Sequence, residues 1–185
     1  MSVAIIVLIL ILVAFAIFVI SVYNGLVSTR NQVRNAWSQI DVELQRRFDL
    51  IPNLVETVKG YMNHEESVLT QIAELRSAWT NSKSISEKAN LENQLSGALT
   101  SVYAVAEQYP ELKSNTNFLS LQEELSNTES KLASSRNAYN MMVTNYTTKL
   151  EIFPNSIIAG MFNFKSEELF KVENEEIKQN VKVSF

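Results

Sequence analysis

Residues 3–20 read VAIIVLILILVAFAIFVI, an unbroken apolar run of 18 residues near the N-terminus. The first 29 residues carry no charged side chain, and Arg30 is the first to do so. A helix crosses a hydrocarbon core with about 20 apolar residues. The sequence therefore predicts a transmembrane anchor over residues 1–22, which contacts the lipid bilayer through residues 3–22. Function is expected in the more polar chain that follows.

A cleaved secretory signal peptide is the competing interpretation of this run. Such a peptide has a basic segment before the run, a shorter apolar core and a small-residue cleavage site after it. Here only Met1 and Ser2 precede the run, and residues 21–25 contain nothing like Ala-x-Ala. The sequence favours a retained anchor, in which Tyr23 occupies the place of an interfacial aromatic residue.

Basic residues flank the run only on its C-terminal side. The first four are Arg30, Arg34, Arg46 and Arg47, and no Lys or Arg precedes the run. Because cytoplasmic flanks carry an excess of Lys and Arg, we expect the N-terminus outside and the following domain in the cytoplasm. The opposite orientation stays open, because only two of these arginines lie close to the run.

The composition excludes several functional classes. The chain has no cysteine, which excludes disulfides and thiolate chemistry. The net charge is −4 at pH 7 and no basic patch is present, so no nucleic-acid partner is expected. Only four glycines and three prolines occur in 185 residues, and this scarcity of helix breakers favours long helices.

Four segments behind the run repeat apolar residues at helical spacing. The first continues the membrane run in one helix of about 45 residues, roughly 70 Å long, in which Gly25 is the only candidate for a hinge. The second is predicted to begin near Asp49 as N-cap, with Pro52 in the first turn, where a missing N–H costs little. The apolar positions of these two segments are Leu26, Val33, Trp37, Ile40, Leu44 and Phe48, then Val58, Tyr61, Val68, Ile72, Leu75 and Trp79. Both tryptophans are therefore predicted to lie in the core.

The third segment is predicted to begin at a capping box formed by Ser84 and Glu87 and to stop at Pro110. A linker over residues 111–117 leads to the fourth segment, which stops before Pro154. The apolar positions of these two segments are Leu91, Leu95, Leu99, Val102, Ala106 and Tyr109, then Phe118, Leu121, Leu125, Leu132, Tyr139, Val143, Tyr146 and Leu150.

Together the four segments predict an all-α fold. The N-terminal transmembrane helix continues into an antiparallel up-and-down bundle of about four helices over residues 23–153. Residues 154–185 form an apolar C-terminal tail, in which residues 157–170 hold too many large apolar side chains for an ordinary solvated surface. We expect the tail to pack on the bundle, the membrane or a neighbouring subunit, while residues 181–185 alternate like a short strand or a docking segment.

No strong catalytic or metal-binding motif is present. The single histidine, His64, precedes Glu65, but the second histidine of an H-E-x-x-H zinc motif would fall at Val68. We therefore predict no catalytic, cofactor-binding or metal-binding residue and no cofactor. Arg46 and Arg47 are expected to form salt bridges with acids on neighbouring helices. If the bundle holds a polar site, its candidates are Asp41, Arg46, Arg47, Asp49, Glu56 and His64.

Several motifs along the chain resemble the LemA family. They are residues 23–27 (YNGLV), 36–42 (AWSQIDV), 46–47 (RR), 49–55 (DLIPNLV), 107–115 (EQYPELKSN), 121–125 (LQEEL), 153–154 (FP) and 182–185 (KVSF). The resemblance covers almost the whole chain. It implies a bacterial membrane protein with one N-terminal span and a helical-bundle domain, and it implies no established enzymatic reaction.

The leading interpretation is a non-enzymatic, membrane-anchored helical scaffold or protein-interaction module of the bacterial envelope. It would lie in the bacterial cytoplasmic (inner) membrane, with the periplasmic side as the alternative place for the bundle, and would bind unidentified membrane or envelope proteins. The alternative function is a hydrolase or a binder of a small envelope ligand. We also expect a homo-oligomer whose spans lie side by side, with Ala14 and Ala16 allowing close packing.

Overall fold

The computed structural model describes residues 3–61 and 66–170, apart from the side chain of Glu66. Within these residues the chain forms helices and no strand, which confirms the predicted all-α helical bundle. The helices of the described part are α1 (Val3–Lys59), α2 (Glu66–Asn81), α3 (Ile85–Ala106), α4 (Pro110–Lys113), α5 (Thr116–Glu151) and α6 (Asn155–Met161).

Helix α1 joins the first two predicted segments into one helix of 57 residues. The predicted new helix at Asp49 is therefore wrong, because α1 continues through Pro52 to Lys59. A proline inside a helix costs about 3 kcal/mol. The buried face around it offsets this cost, since each large apolar side chain contributes about 1.5–3 kcal/mol when fully buried. The fully buried residues next to Pro52 on this face are Ile51, Leu54 and Val58.

The N-terminal part of α1 is apolar and exposed. Among the described helices, α1 is the one that is long and apolar enough to cross a membrane, and none of its most apolar 18-residue window is buried. The helix runs through Gly25 without interruption, which confirms the predicted continuation of the apolar run into the first segment. Length and composition thus allow a span, as predicted from residues 3–20.

The described residues pack into two compact units. The first unit comprises residues 3–40 and 135–169, and the second comprises residues 41–61, 66–134 and 170. Helices α1 and α5 each contribute to both units. The domain boundaries at residues 22 and 153, between anchor, bundle and tail, stay a prediction.

In the first unit, α1 and α5 run in opposite directions. Trp37 on α1 packs edge-on against Tyr139 on α5, with ring centroids 5.7 Å apart, whereas Tyr23, earlier on α1, contacts Phe162 at the end of α6. Trp37 is half-buried rather than fully in the core. Tyr139 is fully buried and donates a 2.7 Å hydrogen bond to the carbonyl oxygen of Glu168. The buried apolar residues of this unit are Leu26, Val33, Ala36, Ile40, Tyr139, Val143, Tyr146, Ile158 and Ala159.

In the second unit, most positions of the predicted stripes are buried in the core, and five are only half-buried: Tyr61, Val68, Leu91, Tyr109 and Leu121. The predicted capping box is also confirmed: Ser84 Oγ accepts from the Glu87 N–H at 3.0 Å, and the Glu87 carboxylate accepts from the Ser84 N–H at 3.4 Å. Backbone N–H groups of Lys83 and Ser84 lower the pKa of Glu87. The linker predicted over residues 111–117 instead contains α4, with Pro110 at its start, and the first residues of α5.

The chain after Pro154 begins with helix α6, which the apolar-tail prediction missed. A Schellman motif ends this helix: the Phe164 N–H bonds to the Ala159 carbonyl at 2.9 Å and the Asn163 N–H to the Gly160 carbonyl at 3.2 Å. Asn163 lies in the left-handed region with φ 54°, which asparagine tolerates better than most residues. The strand-like residues 181–185 lie outside the described part.

Candidate functional site

An open cavity of about 400 Å³ lies in the second unit. Helix α1, the C-terminal end of α2 and the first residues of α3 form its walls. Its lining is mainly polar and charged and consists of Asp41, Gln45, Phe48, Asp49, Arg76, Trp79, Thr80, Ser82 and Lys88.

Helical spacing places the lining residues of α1 on one face. Asp41, Gln45 and Asp49 follow one another at four-residue intervals, so their side chains are neighbours on the helix surface. Gln45 Nε2 donates a 2.9 Å hydrogen bond to Asp49 Oδ1. From α3, the Lys88 ammonium forms an ion pair with the Asp41 carboxylate. These contacts hold both carboxylates at the cavity.

Two aromatic rings form the apolar part of the wall. Phe48 and Trp79 are stacked, with centroids 4.9 Å apart and an interplanar angle of 20°. Lys88 Nζ lies 5.0 Å from the centroid of the Trp79 ring, which is cation–π distance. Trp79 is only 7% exposed, as its place on the apolar stripe predicts, and its Nε1 has no hydrogen-bond partner among the described residues.

The charges of the cavity balance. Asp41 and Asp49 are the carboxylates, and Arg76 and Lys88 are the cations. The two hydroxyl groups are engaged at the end of α2, since Thr80 Oγ1 donates to the Arg76 carbonyl at 3.0 Å and Ser82 Oγ donates to that of Trp79 at 2.9 Å. Within residues 3–61 and 66–170, no group of three or more His, Cys, Asp or Glu is placed to hold a metal ion. The charged set thus consists of one ion pair, between Asp41 and Lys88, together with Asp49 and Arg76.

A buried ion pair lies elsewhere in the same unit. Arg47 and Glu92 are each 1% exposed, and Arg47 Nη1 lies 2.6 Å from Glu92 Oε1. Ser96 Oγ donates to the same carboxylate oxygen at 3.1 Å, and Glu129 on α5 approaches Arg47 Nη2 at 3.5 Å. The neighbouring Tyr103 has its pKa raised by burial, although the positive charge of Arg47 opposes the shift.

The structure separates the six predicted site candidates. Asp41 and Asp49 line the cavity. Arg46 pairs with Glu124 at the surface and Arg47 with buried Glu92, which confirms the predicted salt bridges to neighbouring helices. Glu56 is exposed, and His64 lies outside the described residues. The cations of the cavity, Arg76 and Lys88, and the buried Glu92 were missed by the sequence analysis.

The fold and these sites define a class: an all-α protein with a helical bundle behind an N-terminal helix that can span a membrane. A sequence model of the LemA family matches residues 36–185, so the chain belongs to the LemA family. Protein LemA of Metamycoplasma hominis is 26% identical over 149 residues, which cover 80% of this chain and 68% of that relative. The resemblance drawn from the motifs is thus confirmed, and the family match begins behind the apolar run.

Proposed function

We propose that the chain is a non-enzymatic, membrane-anchored helical scaffold or protein-interaction module of the bacterial envelope. The composition of α1 supports this proposal. Its residues up to Ile20 are apolar and mostly exposed, whereas the same helix buries core residues from Leu26 to Val58. The segment that can enter a bilayer and the segment that organises the helices are therefore parts of one continuous element, as an anchored module requires.

Extraction and mass measurement test the anchor. The full chain is expected to stay in the membrane fraction after alkaline carbonate treatment, because an 18-residue apolar run favours the hydrocarbon. A matched chain that begins at Asn24 should be released into the supernatant. Release of the full chain, or a mature chain shortened after the apolar run, would refute the anchor and support a cleaved signal peptide.

The proposed location is the bacterial cytoplasmic membrane, with the N-terminus outside and the bundle in the cytoplasm. Arg30 and Arg34 follow the run, which supports this orientation. The chain has no native cysteine, so Ser86→Cys on exposed α3 gives a single reporter. It should resist an impermeant maleimide in intact cells and react after lysis, whereas Ser2→Cys should react in intact cells. Ready labelling of the Ser86 variant in intact cells would place the bundle on the periplasmic side.

Self-assembly through the spans is part of the proposal. The exposed apolar window of α1 leaves Ala14 free to contact a neighbouring helix closely, while Ala16, two residues on, lies on a different face of the helix. Ala14→Ile should lower the mass of the detergent-extracted particle, because the larger side chain prevents close approach. Val13→Ile, a change next to it, should leave the mass unchanged. A wild-type monomer at every protein concentration would refute the homo-oligomer.

Binding of other envelope proteins can be tested at exposed apolar positions of the second unit. Val42 is 65% exposed and Leu119 is 47% exposed. A photo-cross-linking residue at either position, in the full chain in native membranes, should give discrete adducts with other proteins. A matched photo-cross-linker at Val3, 76% exposed at the start of the apolar run, should not give the same adducts. Adducts with the chain itself alone would refute an interaction module and leave self-assembly.

The polar cavity supports a second candidate function, the binding of a small envelope ligand. Two carboxylates and two cations line the cavity, with Lys88 against the Trp79 ring, and such a set can hold a zwitterionic molecule. A zwitterion that fits the cavity should raise the melting temperature of the full chain and change Trp79 fluorescence in a Trp37→Phe variant, in which Trp79 is the remaining tryptophan. Arg76→Gln should abolish the effect, while Arg46→Gln, outside the cavity, should not. A panel of zwitterionic metabolites that leaves the wild-type chain unchanged would refute this candidate.

A further inference from the structure

Helix α6 carries apolar side chains on two faces. Ile158 and Ala159 are buried in the first unit, each 4% exposed. On the other face Ile157 and Met161, one turn apart, are 56% and 73% exposed, and Phe153 just before the helix is 80% exposed. An ordinary surface helix has polar residues on its outer face. A contiguous apolar face of this kind marks an interaction surface.

Aromatic contacts fix the level of this surface relative to the apolar segment of α1. Residues 3–22 cover about 30 Å as a helix, which matches the thickness of a hydrocarbon core. Tyr23 therefore lies at the boundary between hydrocarbon and headgroups. The rings of Phe162 and Phe164 pack edge-on against Tyr23, with centroids at 4.9 and 5.5 Å. Because Phe162 directly follows α6, this helix ends at the same boundary.

The charge pattern around α6 fits a position at the boundary between hydrocarbon and headgroups. The 13 residues 152–164 carry no charged side chain, and Glu151 and Lys165 flank them. Arg30 follows Tyr23 by about 10 Å along α1, and its guanidinium lies 5.0 Å from the centroid of the Phe164 ring. An uncharged segment is thus bordered by charged residues, Arg30 and Lys165 as well as Glu167 and Glu168, and of these the two cations are the ones that anionic lipid headgroups attract.

We propose that α6 is an interfacial helix of the same bilayer that α1 spans. Its face with Ile157 and Met161, together with Phe153, lies in the boundary between headgroups and acyl chains. Helices of this kind are buried about 5–10 Å into the interface. The first unit then has two membrane contacts, a span and an interfacial helix. This inference rests on the proposed membrane anchoring of α1.

Depth-dependent fluorescence quenching tests the position of α6. The chain has no cysteine, so single-cysteine variants of the full chain can carry an environment-sensitive NBD label. They are reconstituted in vesicles of phosphatidylcholine and phosphatidylglycerol that contain a lipid spin label near the headgroup or near the acyl-chain end. The label at Ile157→Cys should emit at shorter wavelength than one at exposed Ser86→Cys. The label at Ile157→Cys should also lose more emission to the spin label near the headgroup, the shallow quencher, than to the one near the acyl-chain end, the deep quencher. A label at Leu12→Cys in the span should show the reverse order.

The same vesicles separate failure of this inference from failure of the anchor. Quenching of the Leu12 label without quenching of the Ile157 label would overturn the interfacial helix and leave the span intact. No lipid quenching at either position would refute the anchor itself. A short-wavelength Ile157 signal that only a second, quencher-labelled copy of the chain reduces would assign this face to an oligomer contact and overturn the lipid assignment.

A paired substitution checks that lipid contact depends on the apolar face. Met161→Ser in the Ile157→Cys chain should reduce shallow quenching, because a large apolar side chain is lost from the contact. Gly160→Ser introduces the same residue one position earlier, where an added Cβ meets no atom within 4 Å. It should leave both the quenching and the helical circular dichroism unchanged. Equal quenching in both variants would overturn the assigned face.

Discussion

Replacing Glu92 by glutamine is expected to lower the free energy of unfolding of the second unit by about 3 kcal/mol. The side chains of Arg47 and Glu92 are each 2% exposed, and their charged atoms are 2.6 Å apart. Removal of one partner of such a pair costs about 3–5 kcal/mol, because the other charge stays out of water without its counter-ion. The lower end of this range applies because Glu129 stays 3.5 Å from Arg47 and compensates part of its charge. This compensation is only partial, since Glu129 is 60% exposed and its charge is screened. The loss is a large fraction of the roughly 5–15 kcal/mol that stabilises a domain.

Urea unfolding of the full chain in mild detergent measures this loss. In a Trp37→Phe background, Trp79 is the remaining tryptophan; it lies in the same unit and reports the transition by its fluorescence. Glu124→Gln is the matched control, because it removes an ion pair with Arg46 whose side chains are 38% and 45% exposed. Such exposed pairs contribute about 0–1 kcal/mol. Equal losses in the two variants would refute the reasoning that burial sets the strength of these pairs.

Three further predictions concern local structure. Asn163→Ala should lower the melting temperature by an amount equivalent to about 1 kcal/mol, because alanine is strained at φ 54°, whereas Asn163→Gly should not lower it. Equal melting temperatures of the alanine and glycine variants would contradict the Schellman assignment. Burial raises the pKa of Tyr139 from 10.0 to about 12, so its contribution to stability is complete below pH 10 and is lost as pH rises through the folded-state pKa. Tyr139→Phe should remove that part of the alkaline loss in circular dichroism, and an unchanged alkaline profile would exclude this tyrosine as the cause. Ser84→Ala should cost about 1 kcal/mol in urea unfolding through loss of the N-cap, whereas Ser86→Ala, outside the cap bond, should cost much less.

Local spacing was sufficient to predict most of the helical core. Leu44, Leu95 and Leu132 lie on three different predicted stripes, and each is fully buried. A stripe at 3.6-residue period must face the interior wherever the helix packs, so it is visible in the sequence without knowledge of its neighbours. The capping box was predictable for the same reason, because both of its bonds lie within four residues.

Features that depend on tertiary contacts were not predictable in this way. Pro52 was predicted to lie in the first turn of a new helix, because a proline inside a helix is locally unfavourable. Helix α1 nevertheless passes through it, since burial of apolar residues on both sides offsets that local cost. Arg47 occupies a stripe position between Leu44 and Ile51, and Glu92 lies three residues before Leu95. Opposite charges at apolar positions of two helices were the available signal for the buried pair.

The cavity gave no comparable local signal. Its cations come from different helices, Arg76 on α2 and Lys88 on α3, while its carboxylates Asp41 and Asp49 come from α1. Only the approach of these three helices brings the charges together. The sequence therefore identified half of this charged set as candidates and could not indicate which residues completed it.

In the proposed anchored form, the uninterrupted passage of α1 through Gly25 gives the first unit an angular orientation as well as a depth in the membrane. Each residue of a helix turns the following chain by about 100° around the axis. One residue inserted after Val22 would therefore turn Tyr23, and the aromatic rings that pack on it, by about that angle relative to the lipid-facing surface of the span. An insertion of seven residues would restore the angle to within about 20°. The number of residues in the span is thus an angular parameter of this protein, and variants of equal hydrophobic thickness can differ in which side of the unit faces a neighbour.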